Sequence, residues 1–336
     1  MPILATPSTV ARPTSASVSW SGFQAMTWTG ADGSQFDLLS PDSGTLLMAG
    51  ARGLNMPSLT DYTTESPALD GARFRGSRTN QREVFWPLLV YSDAGSQAWV
   101  EYDREFWNSL RPGQVGLWTV THPNGDTRTL RCRFKDDGGQ SYDVDPSLVG
   151  WAAYGITLVA DQPYWEGAAV TRTWKASQPV SFFGGGTGGP PFTISPGSTL
   201  AKATMPNPGD VDAYPMWVLT GPIDIASVGL SGKLTQYQAS IAAGRSVVID
   251  TSPDQQRVVE IASPPDPDNG GPDVGSQEWL DWISAAMSTG TDRVLNLGSV
   301  AFNAPVSPGR SVSLSLSMVG DGTVTAAIVP YYFRAT

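Results

Sequence analysis

Apolar and polar residues alternate along many short segments of this chain. The longest such segment is 82–91, REVFWPLLVY, and shorter ones include AMTWTG and SQFDLLS between residues 25 and 40. A period of two residues is typical of half-buried β-strands. Asn124-Gly125 between two such segments predicts a hairpin turn. In the second half, strands are predicted at 215–220, 223–230, 246–251, 256–261, 311–318 and 323–330.

One segment has a helical period instead. Between residues 96 and 110, apolar side chains recur every three or four positions, which predicts a helix with one apolar stripe. Ser96 is the expected N-cap, and Pro112-Gly113 ends the helix. The stripe fits a helix packed on a sheet much better than a ligand-binding platform. It consists of Trp99, Tyr102, Phe106 and Leu110. A second, short helix is predicted at 276–288.

Length and composition favour two β-rich domains. The chain has 336 residues, of which only 15% are charged, with 36 glycines and 27 prolines. Many turn-forming residues between short strands are typical of sandwiches and jelly rolls. We predict an N-terminal arm at 1–16, a first domain at 17–182, a Gly/Pro-rich linker at 183–205 and a second domain at 206–336. Residues 168–182 are expected to pair with the strands before them.

Charge and hydropathy exclude several classes of function. The formal net charge is −10, whereas binding to nucleic acid phosphates needs clustered Lys and Arg. We therefore predict no sequence-specific nucleic-acid binding. No apolar run is long enough to cross a membrane, so no membrane insertion is expected. The N-terminal residues resemble no secretory signal, which predicts a protein made in the cytoplasm.

The segment 155–167, GITLVADQPYWEG, allows two interpretations. Asp161 and Glu166 are paired acids beside a tryptophan, as in a glycosidase site. The alternative is a structural corner, in which Asp161 caps a turn through backbone N–H groups. Pro163 then stops the strand ladder, and Tyr164 and Trp165 anchor the chain. The residues favour the corner.

Other candidate sites are weak. Cys132 would need the only histidine, His122, as a catalytic partner, and that residue lies in a hairpin turn. The loop 266–273 has calcium-like spacing, but its two prolines favour a solvated acidic loop. Its candidate ligands are Asp266, Asp268, Asn269 and Asp273. The tryptophans that could bind a sugar are Trp217, Trp279 and Trp282. We predict no catalytic residue, cofactor or metal.

Five motifs in the same order resemble one protein family. They are LNMPSL with SPALDGARFRGSR and REVFWPLLV (54–90), the aromatic helix ending in LRPG, LVADQPYWEG, NPGDVDAYPMWVLTGP (207–222) and VSPGRSVSLSLSM with AAIVPYYFRA (306–335). Together they resemble the distal tail (Dit-type) proteins of bacteriophages with long non-contractile tails, also called phage tail family or minor tail proteins. The linker at 183–198 and the segment near 262–290 depart from that pattern.

The resemblance implies a fold and a function. The fold would be all-β with one prominent helix: an N-terminal β-sandwich that forms a six-fold ring, and a C-terminal galectin-like β-sandwich. The ring would join the tail tube to the tip hub at the distal tail tip of the virion, with the tape measure protein as a further partner. A carbohydrate-binding or glycosidase-like tail appendage is the main alternative. A tail tube subunit is less favoured, because it predicts a single domain.

Overall fold

The structure is a computed structural model that describes residues 25–139, 142–175, 203–230, 233–298, 302 and 304–336. The predicted arm at 1–16 and the predicted linker up to residue 202 lie outside these ranges. The described residues form antiparallel sheets with few helices, so the predicted all-β class with one prominent helix is confirmed. None of the described helices is long and apolar enough to span a membrane.

In the part of the first half that the structure describes, there are ten strands and two helices. In chain order they are β1 (Ala25–Thr29), β2 (Gln35–Asp37), β3 (Thr45–Leu47), β4 (Leu59–Ser66), β5 (Leu69–Thr79), β6 (Arg82–Tyr91), α1 (Ser96–Ser109), β7 (Val115–Thr121), β8 (Thr127–Asp136), α2 (Pro146–Val149), β9 (Trp151–Ala160) and β10 (Trp165–Gly167). The predicted strand at 82–91 and the predicted turn at Asn124-Gly125 are confirmed.

Among the described residues of the second half there are eleven strands and one longer helix. They are β11 (Val170–Lys175), β12 (Thr204–Asn207), β13 (Met216–Thr220), β14 (Ile225–Leu230), β15 (Lys233–Tyr237), β16 (Arg245–Asp250), β17 (Arg257–Ala262), α3 (Gln277–Thr289), β18 (Thr291–Asp292), β19 (Arg310–Val319), β20 (Thr323–Ile328) and β21 (Tyr331–Tyr332). All six strands predicted in this half are present within two residues at each end, and so is the second helix.

The first sheet encloses a core rich in tryptophan. Its strands run in the order β2-β1-β7-β8-β9-β6-β3, and the edge strands approach each other where Leu47 N donates to Leu38 O at 2.8 Å. Alternate residues of β6 point inward, as the period of two predicts. Buried indole rings from four strands meet in a row at the centre of this core. They belong to Trp28, Trp86, Trp118 and Trp165.

Helix α1 packs its apolar stripe on this core. Trp99, Phe106 and Leu110 are buried, and the half-buried Tyr102 donates its hydroxyl hydrogen to Ser43 O at 2.7 Å. The stripe therefore packs on the sheet. The predicted N-cap was wrong by one residue: Gly95 is the cap, without a side-chain hydrogen bond, and Ser96 is the first helical residue.

The arginine-rich segment before β6 is a hairpin and not the loop that its polarity suggests. Among the described strands, β4 and β5 pair only with each other and form a separate two-stranded sheet. All residues of β4 are exposed, so the segment lacks the one-sided apolar pattern by which a half-buried strand is recognised.

The second half is a sandwich of two sheets. The larger has the order β11-β20-β13-β16-β17-β18, and the smaller has the order β12-β19-β14-β15. One core lies between them. Helix α3 covers the outer face of the larger sheet, where Trp279, Ile283 and Met287 are buried against Val218 and Val248.

Two short segments cross between the halves. Strand β11 was predicted to pair with the strands before it. It pairs instead with β20 of the second half. The C-terminal strand β21 returns to pair with β10 of the first sheet. Residues 170–175, which lie within the predicted first domain (17–182), therefore pair with a strand of the second half. Residues 331–332, which lie within the predicted second domain (206–336), pair with a strand of the first sheet. Both pairings join residues far apart in sequence, which local patterns do not encode.

Candidate functional site

The predicted corner is a bulge in the first sheet. Strand β8 pairs with β9 at Arg133↔Val159 and with β10 at Thr129↔Glu166. Between these two pairs the chain advances by seven residues, from 159 to 166, whereas β8 advances by only four, from 133 to 129. The bulged segment therefore contains three extra residues. After residues 161–164 the chain pairs with β8 again, so the segment does not turn the chain away from this strand. Pro163 lies within this bulge, where no ladder bond is needed.

The acids of this segment both bind arginines of β8. Asp161 accepts hydrogen bonds from Arg133 Nε at 2.8 Å and from Gln81 Nε2 at 2.6 Å, so its predicted role as a backbone cap was wrong. Glu166 receives both of its carboxylate contacts from Arg131 Nε at 3.1 Å. Arg131 and Arg133 alternate with the buried Cys132 and so lie on one face. Each acid is thus held as an ion-pair partner beside its own arginine.

We expect Asp161→Asn and Glu166→Gln to leave the fold intact and to remove no hydrolytic activity. Asp161 is 54% exposed, so solvent screens its ion pair with Arg133 and the loss of stability should be small. The hydrogen bond from Arg133 holds the pKa of Asp161 below 3.8. Its contribution is therefore complete above pH 3.8 and disappears as the pH falls through the lowered value.

Urea unfolding of the wild type and of Asp161→Asn at several pH values measures this difference. The two curves should differ slightly at pH 7 and should coincide in strong acid. Glycan hydrolysis by the wild type that is lost in the double amide variant would contradict the structural role of these acids.

A buried arginine, Arg82, joins the bulge to two other segments. Its side chain is only 2% exposed. Nε donates to Pro163 O at 2.6 Å, Nη1 donates to Gly53 O at 2.6 Å and to Asn55 O, and Nη2 donates to Phe333 O at 2.7 Å. Burial lowers the pKa of the guanidinium to about 10, so it remains charged at neutral pH. All four acceptors are backbone carbonyl oxygens, which this one cation holds together.

The C-terminal segment is held against the bulge by further contacts. The Tyr164 ring lies 5.7 Å from Phe333 and 6.1 Å from Tyr331 between centroids, and its hydroxyl donates to Thr79 Oγ1 at 2.9 Å. Trp165 is fully buried and pairs with Tyr332. These two aromatic residues of the predicted corner therefore lie at the junction where the chain's last residues rejoin the first sheet.

Other polar contacts add to this junction. The Arg128 guanidinium lies 3.6 Å above the Tyr332 ring, a cation–π contact, and its Nη1 donates to Arg334 O at 2.8 Å. Ala335 N donates to Leu54 O at 2.8 Å. Through Arg82, Arg128 and residues 161–165, this junction holds the C-terminal residues 331–335 against the first sheet.

The remaining candidate groups do not form a reactive centre. Cys132 is buried, and burial raises the pKa of its thiol, so the thiolate is disfavoured. Cys132 pairs with Gly116, and His122 lies beyond the pair Thr121↔Thr127 at the hairpin end. Five steps along β8 at 3.4 Å separate Cys132 from that pair, about 17 Å. The two side chains therefore cannot act together.

The proposed sugar and calcium ligands also have structural places. Trp217 and Trp279 are buried in the second half, and the half-buried Trp282 packs against the core under α3. The carboxylate of Asp266 accepts from Asp268 N at 3.0 Å and caps a short 3₁₀ helix, Pro267–Asn269. Within the described ranges, no group of three or more His, Cys, Asp or Glu side chains could hold a metal ion.

The chain is similar to known proteins in its fold. No protein-family model and no curated protein matches the chain. The Dit protein (gp 19.1) of phage SPP1, described as a paradigm of the hub adsorption apparatus in phages that infect Gram-positive hosts, superposes with a TM-score of 0.57. The match covers 91% of this chain and 98% of that chain at 14% identity.

This chain has the fold of the Dit proteins. Chains of the phage p2 baseplate in its activated conformation, with Ca and with Sr, also match, each with a TM-score of 0.51 and 9% identity. These matches cover 90% of this chain and 97% of each baseplate chain. The fold-level resemblance inferred from the five ordered motifs is therefore confirmed, even though sequence identity is very low.

Proposed function

We propose that this chain is a structural protein of the distal tip of a long, non-contractile phage tail. The observation that carries the proposal is the coverage of the fold match: 91% of this chain corresponds to 98% of a Dit chain, so the match extends over both halves. A fold alone does not determine function. The additional support is that Asp161 and Glu166 are held in ion pairs, and that Cys132, Trp217 and Trp279 are buried in the cores.

In this role the chain forms a homohexameric ring that joins the tail tube protein to the tip hub and the receptor-binding apparatus. The first half is the ring-forming part, and the second half is the outward, galectin-like part. The tape measure protein is a further contact inside the ring. The net charge of −10 suits a ring through which DNA passes without being retained. The protein is then a virion component, made in the host cytoplasm, and not an enzyme.

Electron microscopy of phage particles that carry this chain tests its location. Particles are labelled with a gold-conjugated antibody against α3, which covers the outer face of the second half. We expect gold at the distal end of the tail, opposite the head. A label at the head, along the whole tube or on no particle would contradict the proposed role, and preimmune antibody gives the background.

A further inference from the structure

Four large apolar side chains are exposed within eight residues of the segment that joins β8 to β9. They are Tyr142, Val144, Leu148 and Val149. Leu148 is the most exposed of them, at 77%. The Tyr142 ring is held edge to face against the Tyr154 ring, with 6.4 Å between the centroids. We call residues 142–149, which include α2, the α2 patch. Large apolar side chains exposed together mark a surface that another segment or molecule covers.

The α2 patch and the residues just before it are also acidic. Between residues 136 and 149 there is no lysine or arginine, and there are four aspartates: Asp136, Asp137, Asp143 and Asp145. Asp136 and Asp143 are exposed to solvent, and so is Asp145, whose carboxylate caps α2. A segment that covers this surface therefore needs apolar groups and a positive charge, and no carboxylate of its own, because like charges in contact repel.

The N-terminal residues of the chain have that composition. Residues 1–24 contain one arginine, Arg12, and neither aspartate nor glutamate. Apolar residues and prolines precede this arginine; they are Pro2, Ile3, Leu4, Pro7 and Val10. Proline-rich segments bind to surfaces lined by aromatic rings, because their extended conformation loses little entropy on docking. Tyr142 offers such a ring, and the aspartates beside it suit Arg12.

The α2 patch lies about 50 Å from Ala25, where the described chain begins. Ala25, the first residue of β1, is level with Thr127, the first residue of β8, because both pair with Thr121. Nine steps along β8 lead to Asp136, which pairs with Thr157, and six further steps along β9 lead to its first residue, beside the patch. Fifteen steps at about 3.3 Å, with three spacings of about 4.8 Å from β1 to β9, give this distance.

The N-terminal residues are long enough to cover that distance. At about 3.3 Å per extended residue, the residues before Ala25 span up to about 80 Å. About sixteen of them are needed to reach the α2 patch, which leaves roughly the first eight to lie on it. Arg12 then lies on the way to the patch, within reach of Asp136, which is about 30 Å along β8 from the level of Ala25.

We propose that residues 1–12 of the chain dock on the α2 patch of their own copy. Residues 1–8 cover the exposed apolar side chains, and Arg12 pairs with the aspartates that precede the patch. The occupant belongs to the same copy because the reach suffices without a second molecule, and an attached segment binds at a high effective concentration. This contact goes beyond the proposed ring and does not depend on it. It keeps the patch from contacts with other molecules.

Photo-crosslinking of the full chain tests where the N-terminal residues lie. Leu4 is replaced by p-benzoylphenylalanine, and crosslinked peptides are identified by mass spectrometry. Unlabelled and ¹⁵N-labelled preparations are unfolded in urea and refolded together, so that any assembly contains both. We expect crosslinks from position 4 to residues 142–149 in which both peptides carry the same label. The same probe at Val319, which is 54% exposed in the second half, should give no crosslink to the patch.

Hydrogen exchange of the unmodified chain and of point variants measures the cover itself. In I3S/L4S and in R12E, the backbone amides of 142–149 should exchange at least about fivefold faster than in the wild type, because their cover is lost. The matched control R257E changes an exposed arginine of the second half and should leave this exchange unchanged.

A change on the patch side completes the test. L148S should lower crosslinking from position 4 at least about fivefold, since it removes an apolar anchor. L295S is the matched control: it makes the same change in the second half, at a leucine that is 95% exposed, and should leave the crosslinking yield unchanged.

Three results would overturn the proposal. Crosslinks that join a labelled peptide to an unlabelled one would place the N-terminal residues on a different copy. Crosslinks from position 4 only to other regions would exclude the α2 patch as the site. Unchanged exchange at 142–149 in both N-terminal variants would show that these residues do not cover the patch. All three leave the proposed function standing, because none depends on whether the chain forms rings.

Discussion

Trp86→Ala is expected to lower the free energy of unfolding of the first half by about 4 kcal/mol, because a large buried ring is replaced by a cavity. Trp86 is completely buried. Its ring centroid lies 5.3 Å from those of both Trp28 and Trp118, edge to face. Removing it therefore takes away two aromatic contacts as well as the transfer energy of the side chain. Urea unfolding followed by tryptophan fluorescence and circular dichroism measures the loss.

Two variants serve as controls for that measurement. Trp86→Phe should cost clearly less than Trp86→Ala, because it keeps an aromatic ring and the Trp86 Nε1 hydrogen has no acceptor to lose. Trp151→Ala removes the same type of side chain from a position that is 51% exposed, and should change stability by less than about 0.5 kcal/mol. Similar losses for Trp86→Ala and Trp151→Ala would contradict the location of the core.

Arg82→Ala is expected to cost about 4 kcal/mol and to release the C-terminal segment from the first sheet. The substitution leaves four backbone carbonyl oxygens, those of Gly53, Asn55, Pro163 and Phe333, without the cation that binds them. Hydrogen bonds to a charged group contribute about 1.5–3 kcal/mol each, and water can reach part of the opened site. Hydrogen exchange should accelerate at residues 331–335, which measures the release directly.

Arg128→Ala is the matched control, since Arg128 also contacts the C-terminal segment but from a more exposed position. Losing its contacts with Tyr332 and Arg334 should cost about 1 kcal/mol. Arg82→Lys keeps the charge, but one ammonium cannot reach all three segments, so its stability should lie between those of Arg82→Ala and the wild type. Wild-type exchange at 331–335 in Arg82→Ala would show that Arg82 does not hold this junction.

Local patterns predicted the elements well. The inward positions of β6 follow the period of two, and the stripe of α1 follows the period of three and four, because each element buries one face against a core. The same period contained a signal that the sequence analysis missed. Arg82 occupies the first inward position of β6, in register with Val84 and Trp86, so alternation alone places this arginine in the interior.

The pairing between distant segments could not be predicted in the same way. Strand β11 joins β20, and β21 joins β10, across 148 to 167 residues of sequence. Register between such strands depends on which faces and edges remain free after the rest has folded. The hairpin of β4 and β5 was missed for a different reason: with no core beneath it, it has no one-sided apolar pattern.

The chemistry of residues 161–166 shows the limit of local sequence interpretation. Asp161 was expected to bond backbone N–H groups of its own turn, whereas its partner is Arg133 on the adjacent strand. Proximity between β8 and the bulge decides that pairing, and neither segment indicates it alone. The aromatic residues Tyr164 and Trp165 do lie at an anchoring point, but the segment that they hold is the chain's C-terminus, 167 residues beyond Trp165 at Tyr332.

Negative-stain imaging of the purified wild-type chain is the decisive measurement for the proposed ring. We expect rings with six-fold symmetry and a central opening, formed by the first halves, with the second halves projecting outward. Class averages from freshly purified protein, with mass photometry of the same sample, give both the symmetry and the copy number. A uniform monomer across the concentration range, above all one that binds glycans, would contradict the proposed function.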